Sequence, residues 1–163
     1  MKNILAIGAH PDDVEFGCFG TLKKHIQEGD KVIICLMSNS TVKDATTNKY
    51  TREESKSIEE AKCAAKSIGA ELIMLNYQDT MIPFNSSSVK QLEKIINTNN
   101  INIVYTHWGG DTHQDHINTL TIKGILPQDF EIQEKVTQNL LEIKSYPKSK
   151  SALRNAINME LIY

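Results

Sequence analysis

The chain has 163 residues, 23% of them charged and 40% hydrophobic, with a formal net charge of −2. That is the size of one domain with a sizeable core, and the balanced charge argues against a general nucleic-acid or membrane surface. No run of 18 apolar residues occurs, the opening "MKNILAIGAHPDD" is too short in its apolar part for a secretory signal, and Cys18, Cys35 and Cys63 form no CxxC pair; a cytoplasmic protein with reduced, mostly buried thiols is expected.

In chain order, "KNILAIGA" (2–9) reads as a buried strand ending near Gly8. "FGCFGTLKKHIQEG" places Phe16, Phe19, Leu22 and Ile26 on one helical face, with Gly29 as C-cap and His25 solvated on the polar side. "KVIICLMS" (31–38) is a second buried strand, and the polar 39–50 stretch is loop-like. Thr51 and Glu54 fit a capping box, opening a helix with Ile58, Ala61, Ala65 and Ile68 on one face and a stop at Gly69. "ELIMLN" (71–76) is a third strand. A helix capped from Ser88 to Gln91 carries Val89, Leu92, Ile95 and Ile96 at helical spacing. "INIVYTH" (101–107) is a fourth strand, followed by a glycine-containing loop and a helix from about His116. "QEKVTQNLLEIKSYPKSK" reads as a helix ending before Pro147, and 148–163 as helix or tail. Alternating strands and helices predict an α/β domain with a mostly parallel sheet.

Ligands of such sheets bind beyond the carboxyl ends of the strands. "HPDD" follows the first strand there and "HWGGDTHQDH" the fourth, so two polar clusters almost 100 residues apart are expected on one edge. Four of the five histidines, His10, His107, His113 and His116, lie in these loops or at their edge. Imidazole and carboxylate are the non-thiolate ligands of catalytic zinc, which takes three protein ligands and keeps one position open. His10 and Asp13 with a histidine of "HQDH" would make such a set. Asp12, beside a ligated Asp13, would be left to act as general base, and Pro11 stiffens the turn between them. The other histidine of "HQDH", protonated, would stabilise an oxyanion or feed a leaving group, with Asp115 or Asp111 orienting it.

Other residues take plainer readings. "GCFG" lacks the spacing of a dinucleotide loop, so Gly17 and Gly20 are read as helix-packing residues. Trp108 is a lid or platform, or equally a half-buried anchor. Arg52 reads as an exposed first-turn residue and Asp79 as a turn residue.

"AHPDDVEFGCFGTL" together with "THWGGDTHQDH" resembles the LmbE/PIG-L family of zinc-dependent N-acetyl-sugar deacetylases. The first stretch matches the family's A-H-P-D-D-x-x-x-G signature from Ala9 to Gly17, the second its H-x-D-H ending. The likeness runs from residue 3 to about 120 and includes Glu60, Ala61, Ala64 and Gly69. It implies one domain over 1–163, a Rossmann-like three-layer αβα fold, and hydrolysis of the acetamide of an N-acetylglucosamine-type conjugate. By resemblance, His10, Asp13 and His116 are the ligands of Zn2+ or another divalent metal. Asp12 is then the general base, and His113, supported by Asp115, is the oxyanion stabiliser or acid. The chain departs from the family pattern at Phe19, often glycine, and in lacking an arginine before "EA" of the connecting helix, where Lys56 and Ser57 stand. Only 47 residues follow His116, fewer than family members usually carry. Hence the alternative of a shortened relative that binds metal, sugar or a partner with little or no catalysis, or one whose exposed apolar surface a second subunit covers. An iron(II) oxygenase, which also uses two histidines and a carboxylate, is disfavoured by the α/β pattern.

Overall fold

A computed structural model describes residues 1–41, 44, 46–47, 49–50, 53–123 and 131–132. Five parallel strands, β1 (Asn3–Gly8), β2 (Lys31–Ser38), β3 (Glu71–Tyr77), β4 (Ile103–Tyr105) and β5 (Glu131–Ile132), form one sheet in the order β3-β2-β1-β4-β5. The helices are α1 (Asp13–Gly17), α2 (Phe19–Gln27), α3 (Glu54–Ile68), α4 (Ser86–Thr98) and α5 (Gln114–Lys123).

Successive strand residues point to opposite faces. On one face Leu5, Ile7, Ile33, Cys35, Met37 and Val104 meet Val89, Leu92 and Ile96 of α4 and Ile122 of α5. On the other, Ile4, Ala6, Val32, Ile34 and Leu36 meet Val14, Leu22 of α2, and Ala61, Ala65 and Ile68 of α3. Both faces are covered, which is why β1 and β2 read as continuous apolar runs rather than alternating ones. The fold is thus the expected three-layer α/β arrangement with a parallel sheet. Its strand order reverses between β1 and β4: the chain winds outward through β2 and β3, then returns to the far side of β1.

Several local expectations are corrected. The first helix is two, broken at Cys18, whose φ of −148° ends α1; the break takes Phe16 off the core face and leaves it 79% exposed. A Cβ on Gly20 would meet open space, so this glycine is no packing contact. α3 starts at Glu54 with Glu53 as N-cap and no side-chain cap, and Glu54 instead accepts a hydrogen bond from Asn39 (2.8 Å); Thr51 and Arg52 lie outside the described residues. α4 is capped by Asn85, which accepts from the amides of Ser87 and Ser88, while Ser88 closes the box at N3, one turn before the expected position. His25 is no solvated residue: its Nδ1 lies 2.8 Å from Asp30 and its Nε2 2.9 Å from the Tyr105 hydroxyl. Cys35 is buried but Cys63 is exposed. Gly29 and Gly69 hold φ of +89° and +90° where α2 and α3 stop, as their places at the helix ends predict. The helix expected before Pro147 and the 148–163 segment lie outside the described residues.

Candidate metal centre

The reversal in strand order opens a crevice beyond the carboxyl ends of β1 and β4. The β1–α1 loop brings His10, Asp12 and Asp13 there, and the β4–α5 loop His107, Asp111 and His113, with Asp115 and His116 in the first turn of α5. A third loop, between β3 and α4, joins them and delivers Asp79.

Asp13 lies at the centre. Its Oδ2 is 3.4 Å from His10 Nδ1, and its Oδ1 is 3.4 Å from His116 Nε2. The His10 amide donates to Oδ2 (2.7 Å), fixing the carboxylate against its own loop. The far nitrogen of each imidazole is backed by carboxylate. Asp111 lies 2.8 Å from His116 Nδ1, and His10 Nε2 faces Asp115 at 3.1 Å and Asp79 at 3.0 Å. Ligand atoms of His10, His113 and His116 fall within 4.8 Å of one another, as do those of Asp13, His107 and His116. A carboxylate or carbonyl behind a histidine is how metal-binding imidazoles are oriented, so the donor set fits a divalent cation.

His107 differs from the others. Its Nε2 lies 2.9 Å from the Ala9 amide and 3.3 Å from Asp13 Oδ2, so this nitrogen faces both the main chain and the central carboxylate. Its ring stacks on His116 at 4.0 Å between centroids and 12° between planes. His113 stands just before α5, and its Nδ1 accepts the Asp115 amide (3.2 Å), which leaves Nε2 as the protonated nitrogen of the neutral ring. Asp115 was expected to support His113 with its side chain. It reaches that residue through its main-chain amide, while its fully buried carboxylate lies on His10 and accepts the Thr80 amide at 2.6 Å. Asp12 is exposed and has φ +120°, a strained backbone for a residue with a Cβ.

Burial by itself would raise the Asp13 carboxyl, but the hydrogen bonds and charge of the surrounding imidazoles, His10 first, outweigh it and hold Asp13 far below the carboxylate range. Burial likewise pulls His10 down, yet Asp13, then Asp115 and Asp79, overcome it and lift His10 to about 9. His116 is raised in the same way by Asp13 and Asp111.

Asp79 is the residue that sequence reasoning missed. It does sit in a turn, closed by the Met81 amide on the Gln78 carbonyl (3.1 Å), but it also contacts His10. Strand order alone could not bring β3's loop to the crevice, because β2 separates β3 from β1. The Trp108 ring is 36% exposed and lies over Gly110, where a Cβ would collide with it.

Fold and site together define an α/β protein with a histidine–aspartate cluster of metal-ligand type at its topological switch point. The profile of the PIG-L family, described as GlcNAc-PI de-N-acetylase, matches residues 5–123. The chain is 36% identical over 123 residues to YaiS, an uncharacterized deacetylase of Escherichia coli K12, covering 71% of this chain and 63% of that protein. It is 29% identical over 99 residues to the diacetylchitobiose deacetylase of Thermococcus kodakarensis, covering 59% and 37%. The solved structure of N,N'-diacetylchitobiose deacetylase from Pyrococcus horikoshii superposes with a TM-score of 0.67 at 24% identity, over 91% of this chain and 57% of that one. GalB, the 4-carboxy-2-hydroxymuconate hydratase of Pseudomonas putida, shares the fold at 0.65 and 20%, over 76% and 55%. The chain belongs to the PIG-L (LmbE-like) family. It spans less than two thirds of the length of the curated relatives it matches.

Proposed function

We propose that the chain is a metal-dependent deacetylase that hydrolyses the acetamide of an N-acetylated amino sugar, with His10, Asp13 and His116 as ligands of a zinc ion. The observation that carries this reading is the placement of Asp13 between His10 Nδ1 and His116 Nε2, each ring backed by a carboxylate on its other nitrogen. The deacetylase relatives support the reaction class, and the diacetylchitobiose deacetylases support the amino-sugar substrate.

A cation at that position supplies Lewis acidity, which polarises the acetamide carbonyl and acidifies water. Asp12 accepts the proton of the attacking water. His113, with its proton on Nε2, donates to the carbonyl oxygen as negative charge develops there. Its ring is held by the Asp115 amide, so little reorganisation is needed when the charge appears. As the carbon–nitrogen bond breaks, the proton held by Asp12 passes to the departing amine, giving acetate and a free amino sugar. The unpaired cysteines support a cytoplasmic setting.

The test is acetate release from N,N'-diacetylchitobiose and related N-acetylglucosamine conjugates by the zinc-loaded chain, with and without chelator. Chelator-sensitive release supports the reading. Stoichiometric zinc binding without release from any conjugate would favour the second reading, a binding protein without catalysis. Absence of zinc uptake would overturn the ligand assignment.

A further inference from the structure

We propose that Asp79 is a positioning residue for the metal centre: it shares the His10 Nε2 proton with Asp115 and thereby keeps Nδ1 as the nitrogen presented towards Asp13. The inference rests on the ligand set proposed above. Two carboxylate oxygens converge on one imidazole nitrogen, Asp79 Oδ1 at 3.0 Å and Asp115 Oδ2 at 3.1 Å, while Nδ1 of the same ring lies 3.4 Å from Asp13. An N–H pinned at Nε2 fixes the tautomer and the ring plane, and it makes Nδ1 the more basic donor.

Asp115 cannot do this alone at full strength. Its Oδ2 also accepts the Thr80 amide at 2.6 Å, a shorter contact than the one to His10, and its Oδ1 faces the Ile82 amide at 3.4 Å. Much of its acceptor capacity is therefore spent on holding the β3–α4 loop. That loop in turn is shaped to present Asp79. Thr80 follows it with φ +64°, in the left-handed region that a β-branched residue rarely enters and a simple turn would fill with glycine. The strained turn is clamped to α5: Gln114 Nε2 donates to the Thr80 carbonyl (2.6 Å) and Asn118 Nδ2 to the Ile82 carbonyl (2.9 Å). The helix that carries His116 thus also sets the residue that orients His10, so the two imidazoles are registered by one rigid element.

The experiment compares the parent with Asp79→Asn and Asp79→Ala. Zinc affinity is measured by competition with a chromophoric chelator, the cobalt-substituted proteins give their visible spectra, and KM is measured at saturating zinc. The expected result is a zinc Kd raised about tenfold in Asp79→Asn and more in Asp79→Ala, with an altered cobalt spectrum and KM within about twofold of the parent. A zinc Kd within about twofold of the parent, with an unchanged spectrum, would overturn the proposal; a simultaneous rise in KM would assign Asp79 to substrate contact instead. If the parent itself takes up no zinc, the ligand reading fails separately. Nitrogen-resolved NMR of the His10 ring in the metal-free protein then decides the inference: a slowly exchanging Nε2 proton lost in Asp79→Ala supports it, and an unchanged resonance overturns it.

Discussion

Adjacent carboxylates repel, and the chain separates Asp12 from Asp13 by backbone conformation. Asp13 sits among imidazoles that stabilise its charge, whereas Asp12, at φ +120°, stays exposed beside it. Strain of this kind at a crevice suggests a functional constraint. Asp12→Asn is expected to keep about one zinc per chain and to lose roughly 10²–10⁴-fold in acetate release, the size of a general-base contribution; zinc analysis beside an acetate assay checks both halves. His116→Ala is expected to lose the metal, because it removes the imidazole nitrogen that faces Asp13 Oδ1 at 3.4 Å. Metal content after dialysis reads this directly, and full retention would remove His116 from the ligand set. At this scale the residue types of the site were legible because two histidine–aspartate clusters, each weak evidence by itself, follow strands expected at one sheet edge. Two pairings were not. Asp115 turned out to back His10, and His107 was tied down by the Ala9 amide, because both contacts cross between segments about 100 residues apart.

At the scale of elements, the strand-to-helix turn after β1 has no room to spare. A Cβ on Gly8 would lie 3.1 Å from Val14, 3.2 Å from the Asp13 Cβ and 3.3 Å from the His10 carbonyl. Gly8→Ala is therefore expected to displace the first ligand loop, costing about 1–3 kcal/mol as overpacking does and weakening zinc binding with it. Denaturant unfolding and chelator competition measure the two effects, and a neutral result in both would show that the loop can shift freely. The cap of α4 gives a contrast. Asn85→Ala removes an acceptor for two helix amides and is expected to cost about 1 kcal/mol, about 2–4 °C in melting temperature for a protein of this size, while zinc affinity stays unchanged. Strands were legible almost to the residue where both faces are buried: β2 was expected at 31–38 and runs over Lys31–Ser38. Helix starts were less so. Ser88 and Asn85 both offer plausible caps, and only the direction of the chain entering α4 selects between them.

For the whole molecule, the histidine–aspartate cluster couples stability to pH. His10 is raised in the folded state to about 9, so its contribution in the metal-free protein is fully present below the unfolded value of roughly 6.5 and is lost as pH rises through 9. Asp13 is depressed, so its contribution is present above the unfolded carboxylate value of roughly 4 and fades as pH falls. The metal-free protein is thus expected to be most stable between these values and to lose melting temperature from pH 6.5 to 9. Zinc must displace the His10 and His116 protons, so its affinity is expected to rise across the same interval. Melting curves of chelated and zinc-loaded protein at pH 6 and 9 test this, the gap between them widening with pH. A gap that stays constant would mean that these imidazoles bind no metal.

The sequence by itself determined the α/β class, the strand cores, the stops at Gly29 and Gly69, and the identity of most groups in the crevice, because hydrophobic periodicity and helix-ending glycines act locally. The family resemblance went further and tied the two polar loops to one reaction class. Only the tertiary structure decided which groups face each other. The strand order β3-β2-β1-β4-β5 places β1 beside β4 and so closes His10 and Asp13 on His116. The clamp of α5 on the strained turn at Thr80 then brings Asp79 across β2 to His10. Such contacts depend on the packing of segments far apart in the chain, which no local pattern encodes.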